Sequence, residues 1–301
     1  MNYRHHFHAG NFADVMKHAV LVRLIRALQK KPSGFVYLDT HAGRGGYDLV
    51  REAVGETLAR TPEWPDGIGR LWQRTDLPPG VAEYLQLVRE FDRARGNLEP
   101  TVRFYPGSPR IAATLARGEE RLALCERHPE EFGALSAEFS ASKRSRGGEG
   151  TRRGNRISLH EMDGYGALRA MLPPPERRAL VLIDPPYEAQ DEFASAASAL
   201  GEALRRFPSG TYVLWYPLTQ RARVQEFFTA IVGLNPPPTL ALELAIAGDD
   251  APRKLKGCGL VMVNPPWQFD HEARGMLAYL ASVLAVEAGG GSRITWLVPE
   301  K

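Results

Sequence analysis

The sequence is poor in cysteine, and its apolar runs are short. Cys125 and Cys258 are its only cysteines. Two cannot build a disulfide framework or a four-cysteine zinc site, so a reducing compartment, the cytoplasm, is expected. Apolar runs such as Ala179–Ile183 and Tyr212–Leu218 fall far short of the ~20 residues of a membrane span. Met1–Gly10 is polar and His-rich and no apolar stretch follows it, so no secretory signal is expected. Lysine is scarce as well, with 31 arginines to 7 lysines. A biased genome explains that ratio more simply than phosphate recognition does.

The composition itself is that of an ordinary globular chain. Of 301 residues, 44% are hydrophobic and 24% charged, which excludes a mostly disordered polymer. The length allows two domains, or one large domain with an insertion. Net charge is 38 − 35 = +3, but it is unevenly placed. Lys143, Arg144, Arg146, Arg152, Arg153 and Arg156 face one acid, Glu149, so the rest of the chain carries 3 − 5 = −2. The tract Ser140–Arg156 has four glycines and no apolar periodicity. It reads as a mobile surface loop, suited to tracking phosphates without reading bases.

Periodicity organises the remainder. Asn11 is a candidate cap for an amphipathic helix that runs to Lys31 and stops at Pro32-Ser33-Gly34. Short apolar strands are expected at Phe35–Asp39, Arg121–Glu126, Ile157–His160, Ala179–Asp184 and Thr211–Leu218. Helices are expected at Pro109–Arg117, Pro129–Phe139, Tyr165–Met171 and Asp191–Phe207. That alternation predicts βαβ units and a mostly parallel sheet. Strands at Thr239–Ile246, Gly259–Val263 and Ile294–Val298, with one helix at Phe269–Val286, predict an antiparallel edge. Between the first strand and Phe104 no strand is visible, only Trp64, Trp72 and a helical run over Val81–Arg95. That stretch is too long for a βα loop. Residues 51–103 are therefore expected to form a small helical insertion subdomain within a catalytic domain made of 1–50 and 104–301.

Ligands of such sheets bind beyond the carboxyl ends of the strands, so the residues after each strand carry the chemistry. The first ends in Asp39-Thr40-His41-Ala42-Gly43-Arg44-Gly45-Gly46. Its glycines suit close backbone approach, but the loop is neither of the common nucleotide-binding glycine patterns. Glu126 ends the second strand, and Asp163-Gly164 follows the third. An acid at the first of these places suits ribose hydroxyls. One at the second suits an adenine amino group. Taken singly, each also suits a surface carboxylate or a helix cap. The fourth strand ends Asp184-Pro185-Pro186-Tyr187. The prolines fix φ and remove donors, leaving the Asp184 carboxylate and the Pro185 carbonyl as rigid acceptors beside the flat ring of Tyr187. That set fits an exocyclic amino group on a planar base. A plain proline turn is the other reading. Ser108 before Pro109 reads as a helix N-cap whose helix end suits a carboxylate.

Here the sequence resembles a known family. The Asp-Pro-Pro-Tyr element is similar to that of S-adenosylmethionine-dependent methyltransferases acting on amino groups. Tyr3-Arg4-His5, Phe7-His8-Ala9-Gly10-Asn11, Lys17-His18, Tyr37–Gly43, Tyr105–Pro109, Leu182–Glu188, Gly210–Pro217 and Asn264–Trp267 together resemble the RlmJ family of 23S rRNA adenine-N6 methyltransferases along the whole chain. The resemblance implies a Rossmann-like methyltransferase fold and methylation of one defined adenine of 23S rRNA. It implies S-adenosylmethionine as cofactor, S-adenosylhomocysteine as product, and no metal. It implies cofactor contacts from His18, His41, Ser108, Glu126, Asp163, Gly164 and Asp184. Asp184 becomes the catalytic acid–base residue, with Pro185 and Tyr187 beside it and Lys17 and Tyr3 near the active site. The tract 140–156 departs from the family by its length and basicity.

Two competing sites are set aside. His5, His6, His8 and His18 are four of eight histidines, yet no paired cysteines or H-E-x-x-H accompany them. Asn264-Pro265-Pro266-Trp267 repeats the proline element after another strand, but only Asp184 follows Asp163 by one helix; the later copy is expected to pack at the sheet edge. A DNA adenine methyltransferase and a non-catalytic RNA-binding module are the other functional readings. The first lacks a visible DNA-reading domain; the second leaves the strand-end acids unexplained. The expected working form is a cytoplasmic monomer, not membrane-bound, acting on naked or partly assembled 23S rRNA.

Overall fold

The computed structural model describes residues 8–50, 61–144 and 156–300. Tyr3, residues 51–60 of the insertion and 145–155 of the basic tract lie outside them. In chain order the described elements are α1 (Phe12–Gln29), β1 (Val36–Asp39), β2 (Gly46–Asp48), a 3₁₀ turn (Trp64–Asp66), α2 (Ile68–Trp72), α3 (Pro79–Ala94) and β3 (Phe104–Pro106). Next come α4 (Ser108–Leu115), β4 (Arg121–Glu126), α5 (Pro129–Arg144), β5 (Ile157–Glu161), α6 (Gly164–Met171), β6 (Ala179–Ile183), α7 (Glu192–Arg206) and β7 (Thr211–Leu218). The chain then runs through α8 (Arg221–Gly233), β8 (Thr239–Ala245), β9 (Gly257–Val263), α9 (Phe269–Leu284) and β10 (Gly291–Val298).

Eight strands form one sheet in the order β10-β8-β9-β7-β6-β1-β4-β5. Pairs from β7 through β6, β1 and β4 to β5 are parallel. Those joining β7, β9, β8 and β10 are antiparallel. This is a Rossmann-like, mostly parallel arrangement with the expected antiparallel edge. The chain winds outward from β1 in both directions, so β1 and β6 flank the switch point where a crevice opens. Register sets the heights of the strand ends. Asp39 lies opposite Leu124 and Leu182, and Glu126 opposite Glu161. Glu126, Asp163 and Asp184 thus stand within a few residues of Asp39 on one edge, at about 3.3 Å per residue.

Helix α1 begins where Asn11 accepts from the amides of Ala13 and Asp14 at 3.0 Å. It is buried on nearly all sides, because it lies between the sheet and helices α3, α4 and α9. One apolar cluster joins α1, α9 and the Ile68, Leu71, Val81, Tyr84, Leu85 and Val88 side chains of α2 and α3. A second cluster, on the other sheet face, holds α6, α7 and α8. No helix of the described residues is long and apolar enough to cross a membrane.

Four elements, α2, α8, β2 and β3, were not among those expected. Helix α8 was not anticipated, although Val224, Phe227, Phe228 and Ile231, all buried, have the i, i+3, i+4, i+7 spacing of a core-facing stripe. Strand β2 was not anticipated either. Three residues carry no periodicity, and β2 exists because Gly46–Asp48 pairs antiparallel with Phe104–Pro106.

Candidate active site

The end of β6 and the middle of α1 meet in a buried ion pair. The Lys17 ammonium lies 2.6 Å from Oδ2 of Asp184 and 2.8 Å from Oδ1 of Asp14, one turn earlier on α1. Side-chain exposure is 6% for Lys17, 4% for Asp14 and 14% for Asp184, so solvent screens the group weakly. Burial alone lowers the ammonium's pKa. The charges of Asp14 and Asp184 more than offset that and hold it above the ordinary lysine value. The Asp14 carboxylate also accepts from the Gly10 amide at 3.0 Å. Oδ1 of Asp184 accepts from no described residue, which leaves it available to a ligand.

Around this pair the β1 loop is built from backbone. Asp39 is fully buried. It accepts from the hydroxyls of Tyr37 at 2.8 Å and Ser108 at 2.7 Å, both at Oδ2. Burial pushes its carboxyl up to about 6 in spite of those two bonds. Burial likewise pulls His41 down to about 4, so the imidazole is neutral at pH 7. Gly43, at φ +57°, takes a left-handed conformation that glycine adopts without penalty. Its amide donates to Oε2 of Glu126 at 2.8 Å, while the backbone amide of His128 donates to Oε1 at 2.7 Å. Glu126 therefore ties the β1 loop to the turn after β4. Asp163 caps α6 by accepting from Gly166 at 2.7 Å. At Gly164 a Cβ would stand 2.3 Å from the Thr40 carbonyl oxygen; only glycine lets α6 start against the β1 loop.

The remaining candidates are placed as follows. His18 is buried on α1, with Nδ1 2.7 Å from the Tyr105 hydroxyl. Pro185 is buried, and Tyr187 sits at φ +51°. Tyr187 donates to the Trp215 carbonyl at 2.8 Å, and its ring packs 4.7 Å from Phe193 and 5.6 Å from Trp215. Ser108 is not an N-cap: Gly107 occupies that position, and the Ser108 hydroxyl turns to Asp39 instead. Tyr3 lies outside the described residues. Asp14 was missed as a partner, though Asp14-x-x-Lys17 is an i, i+3 pair legible on any helix.

The second proline element is at the wrong end. Strand β9 runs antiparallel to β7, and Val263 pairs with Tyr212 near the amino end of β7. Asn264 thus sits at the foot of the sheet, not at its lateral edge as expected. Its side-chain amide donates to the carbonyls of Pro208 and Gly210, both at 2.8 Å. Asn264→Ala should lower stability by about 1–2 kcal/mol through those two bonds and leave methyl transfer intact. A urea melt beside an activity assay checks both; loss of activity in the folded variant would contradict this placement.

The chain is similar to known proteins. A family model described as ribosomal RNA large subunit methyltransferase D, RlmJ, matches residues 32–298. The chain is 38% identical over 300 residues to ribosomal RNA large subunit methyltransferase J of Escherichia coli (strain K12), covering 100% of both. It is 37% identical over 300 residues to the protein of the same name from Haemophilus influenzae, again covering 100% of both. Among solved structures, protein LPL1258 of Legionella pneumophila is similar with a TM-score of 0.80 and 32% identity, over 96% of this chain and 98% of that one.

Proposed function

The chain belongs to the RlmJ family of ribosomal RNA large subunit methyltransferases, and on that premise we propose that it transfers a methyl group from S-adenosylmethionine to N6 of one adenine in 23S rRNA. The observation that carries the proposal is the buried Lys17–Asp184 pair at the end of β6, beside the switch point of the sheet.

The residues at the strand ends fit such a cofactor. Glu126 offers a carboxylate at the ribose position, and charge-assisted bonds to it are strong. Gly164 keeps the neighbouring wall free of side chain. His18, His41, Ser108 and Asp163 complete the binding set, with Asp184 at its edge. When bound, the cofactor supplies a methyl group made electrophilic by its sulfonium.

The chain's own residues do the rest. The lone pair of an adenine amino group is delocalised into the ring, so the nitrogen is a poor nucleophile. Asp184 Oδ1 and the Pro185 carbonyl accept its two hydrogens and favour the tetrahedral nitrogen that attacks. That contact strengthens in the transition state, which accelerates chemistry. Lys17 fixes Oδ2, so the carboxylate presents one orientation. The carboxylate then takes the proton that the methylated nitrogen sheds. The target base has to leave its stack; Tyr187 lines the place it enters, and Tyr3 joins from the N-terminal segment.

The catalytic domain comprises 1–50 and 104–301, with 51–103 inserted into it. Pairing of β2 with β3 across that span supports the division. The substrate is naked or partly assembled 23S rRNA, and the enzyme works as a cytoplasmic monomer. Purified protein should label unmodified 23S rRNA from methyl-tritiated S-adenosylmethionine. Mass spectrometry of nuclease fragments should find N6-methyladenosine in one fragment. Label on cytosine, or none on RNA, would overturn the proposal.

Glu126→Ala should weaken S-adenosylmethionine binding about tenfold or more, since hydrogen bonds to a charged group contribute about 1.5–3 kcal/mol. Calorimetry reads this directly. Unchanged affinity would move the ribose site elsewhere.

A further inference from the structure

Away from the site described above, the carboxyl ends of β7 and β8 border a cavity of about 150 Å³. Register gives its place. Ile183 pairs with Leu214, Leu214 with Val261 and Val261 with Ala241. Glu243, which lines the cavity, therefore stands one residue beyond the height of Asp184. It is three strands away, about 14 Å at a strand spacing of ~4.8 Å. The cavity thus shares the ligand edge with Asp184, on the side of β6 away from Glu126 and Asp163.

The cavity is built around a buried carboxylate. Glu243 is 4% exposed. Its Oε1 accepts from the Tyr216 hydroxyl at 3.2 Å and from the Arg221 guanidinium at 2.7 Å. The Tyr216 ring reaches it across β9 because Gly259, between them in register, has no side chain to block the way. Oε2 of Glu243 accepts from no described residue. Among the described residues only Trp215 Nε1 is a fully buried side-chain polar atom without a partner. Oε2 therefore reaches open space, and the cavity is the space that Glu243 lines. Glu243 and Ala245 on β8 lie opposite Arg293 and Gly291 on β10, and the two small residues keep the space above the carboxylate open. At the mouth Arg293 is exposed, and so is Lys254 on the loop from β8 to β9. Neither cationic group is paired with a described residue.

An ionised carboxylate only accepts hydrogen bonds, so the free oxygen calls for an N–H donor. The unpaired cations at the mouth suit phosphates. A nucleotide whose base carries an amino group supplies both. The volume is that of about five waters, room for one ring system. We propose that this cavity takes one such base of the 23S rRNA strand near the target adenine, its N–H donating to Oε2 of Glu243 while Arg293 and Lys254 meet the flanking phosphates. The link to RNA rests on the chain acting as an rRNA methyltransferase. Phosphate contacts position a strand, whereas a contact to a base edge selects sequence. The cavity then fixes the register of the strand and with it the adenine that reaches Asp184.

Two variants test this in the full chain. Gly291→Leu fills the cavity from a position where a Cβ meets nothing within 4 Å, and Glu243→Gln removes the charged acceptor. Each, checked for folding by thermal melting, should raise the KM for a 23S rRNA fragment roughly tenfold. The kcat at saturating RNA and the affinity for S-adenosylhomocysteine should be retained. An unchanged KM in folded Gly291→Leu, or a fall in kcat in its place, overturns the proposal. A second arm needs no methyl transfer, so it separates failure here from failure of the rRNA reading. Protein labelled with ¹³C-methyl alanine is titrated with AMP, GMP, CMP and ribose 5-phosphate. The signals followed are Ala245 and Ala247, both in the cavity wall, identified by their loss in Ala245→Ser and Ala247→Ser. They should shift with at least one of the three nucleotides and not with ribose 5-phosphate. No shift with any nucleotide, or an equal shift with ribose 5-phosphate, overturns the proposal. Nucleotide shifts beside an unchanged KM would mark a site for free nucleotides and overturn it too.

Discussion

Asp184→Ala should reduce methyl transfer by about 10²–10⁴ while S-adenosylhomocysteine still binds within a fewfold of the unaltered protein. The asymmetry follows from the geometry. The Oδ2 atom of Asp184 is held by Lys17 at 2.6 Å, and Oδ1 accepts from no described residue. What the substitution removes, on the proposed mechanism, is an acceptor for the amino group of the base and for its departing proton. The proposed ribose site at Glu126 and the backbone wall at Gly164 remain. A tritiated-methyl assay on 23S rRNA, run beside calorimetry with the product, separates the two effects. Turnover within tenfold of normal would take the chemistry away from Asp184.

Lys17→Met should be costly in a different way. It leaves Asp14 and Asp184, both weakly exposed, as two carboxylates without their common cation. Removing one partner of a buried pair destabilises by about 3–5 kcal/mol. The pH dependence has a definite sign. In the unaltered protein the Lys17 pKa is raised, so its contribution is fully present below the unfolded value of about 10.4. Stability should then be insensitive to this group from pH 5 to 9. In Lys17→Met the Asp14 and Asp184 carboxylates lose the cation they share, so holding both ionised costs more than in the unaltered protein. That cost falls as acid neutralises carboxylates and grows as pH rises. Urea melts at pH 5 and pH 8 should therefore show the larger deficit at pH 8. Adding Asp14→Asn should recover part of the stability and none of the activity. An equal deficit at both pH values would mean that the ion pair does not carry the effect.

How far the sequence reaches depends on what kind of constraint acts on each residue. In a parallel sheet every strand points the same way, so the residue after a strand lies on the ligand edge whatever else the fold does. Asp39, Glu126, Asp163 and Asp184 were legible for that reason. So was the helix cap at Asn11, whose side chain answers to amides two and three residues on. These are local rules, and local rules can be read along a chain. Helix α8 obeyed them too, and its stripe of Val224, Phe227, Phe228 and Ile231 was there to be read.

Other features are set by residues far apart in the chain. Lys17 finds Asp184 across 167 positions, and no spacing rule reaches that distance. Ser108 has the sequence of a cap, but a buried carboxylate from β1 outcompetes the helix amides for its hydroxyl. Strand β2 is three residues long and forms only because β3 lies beside it. The two proline elements are nearly equal in sequence. Their roles differ because β6 runs parallel to β1 while β9 runs antiparallel to β7, which puts Asp184 at the ligand edge and Asn264 at the foot of the sheet. Strand direction is a property of the assembled sheet, since it is decided by which neighbour supplies the hydrogen bonds, and it leaves no mark on the apolar pattern of the strand itself.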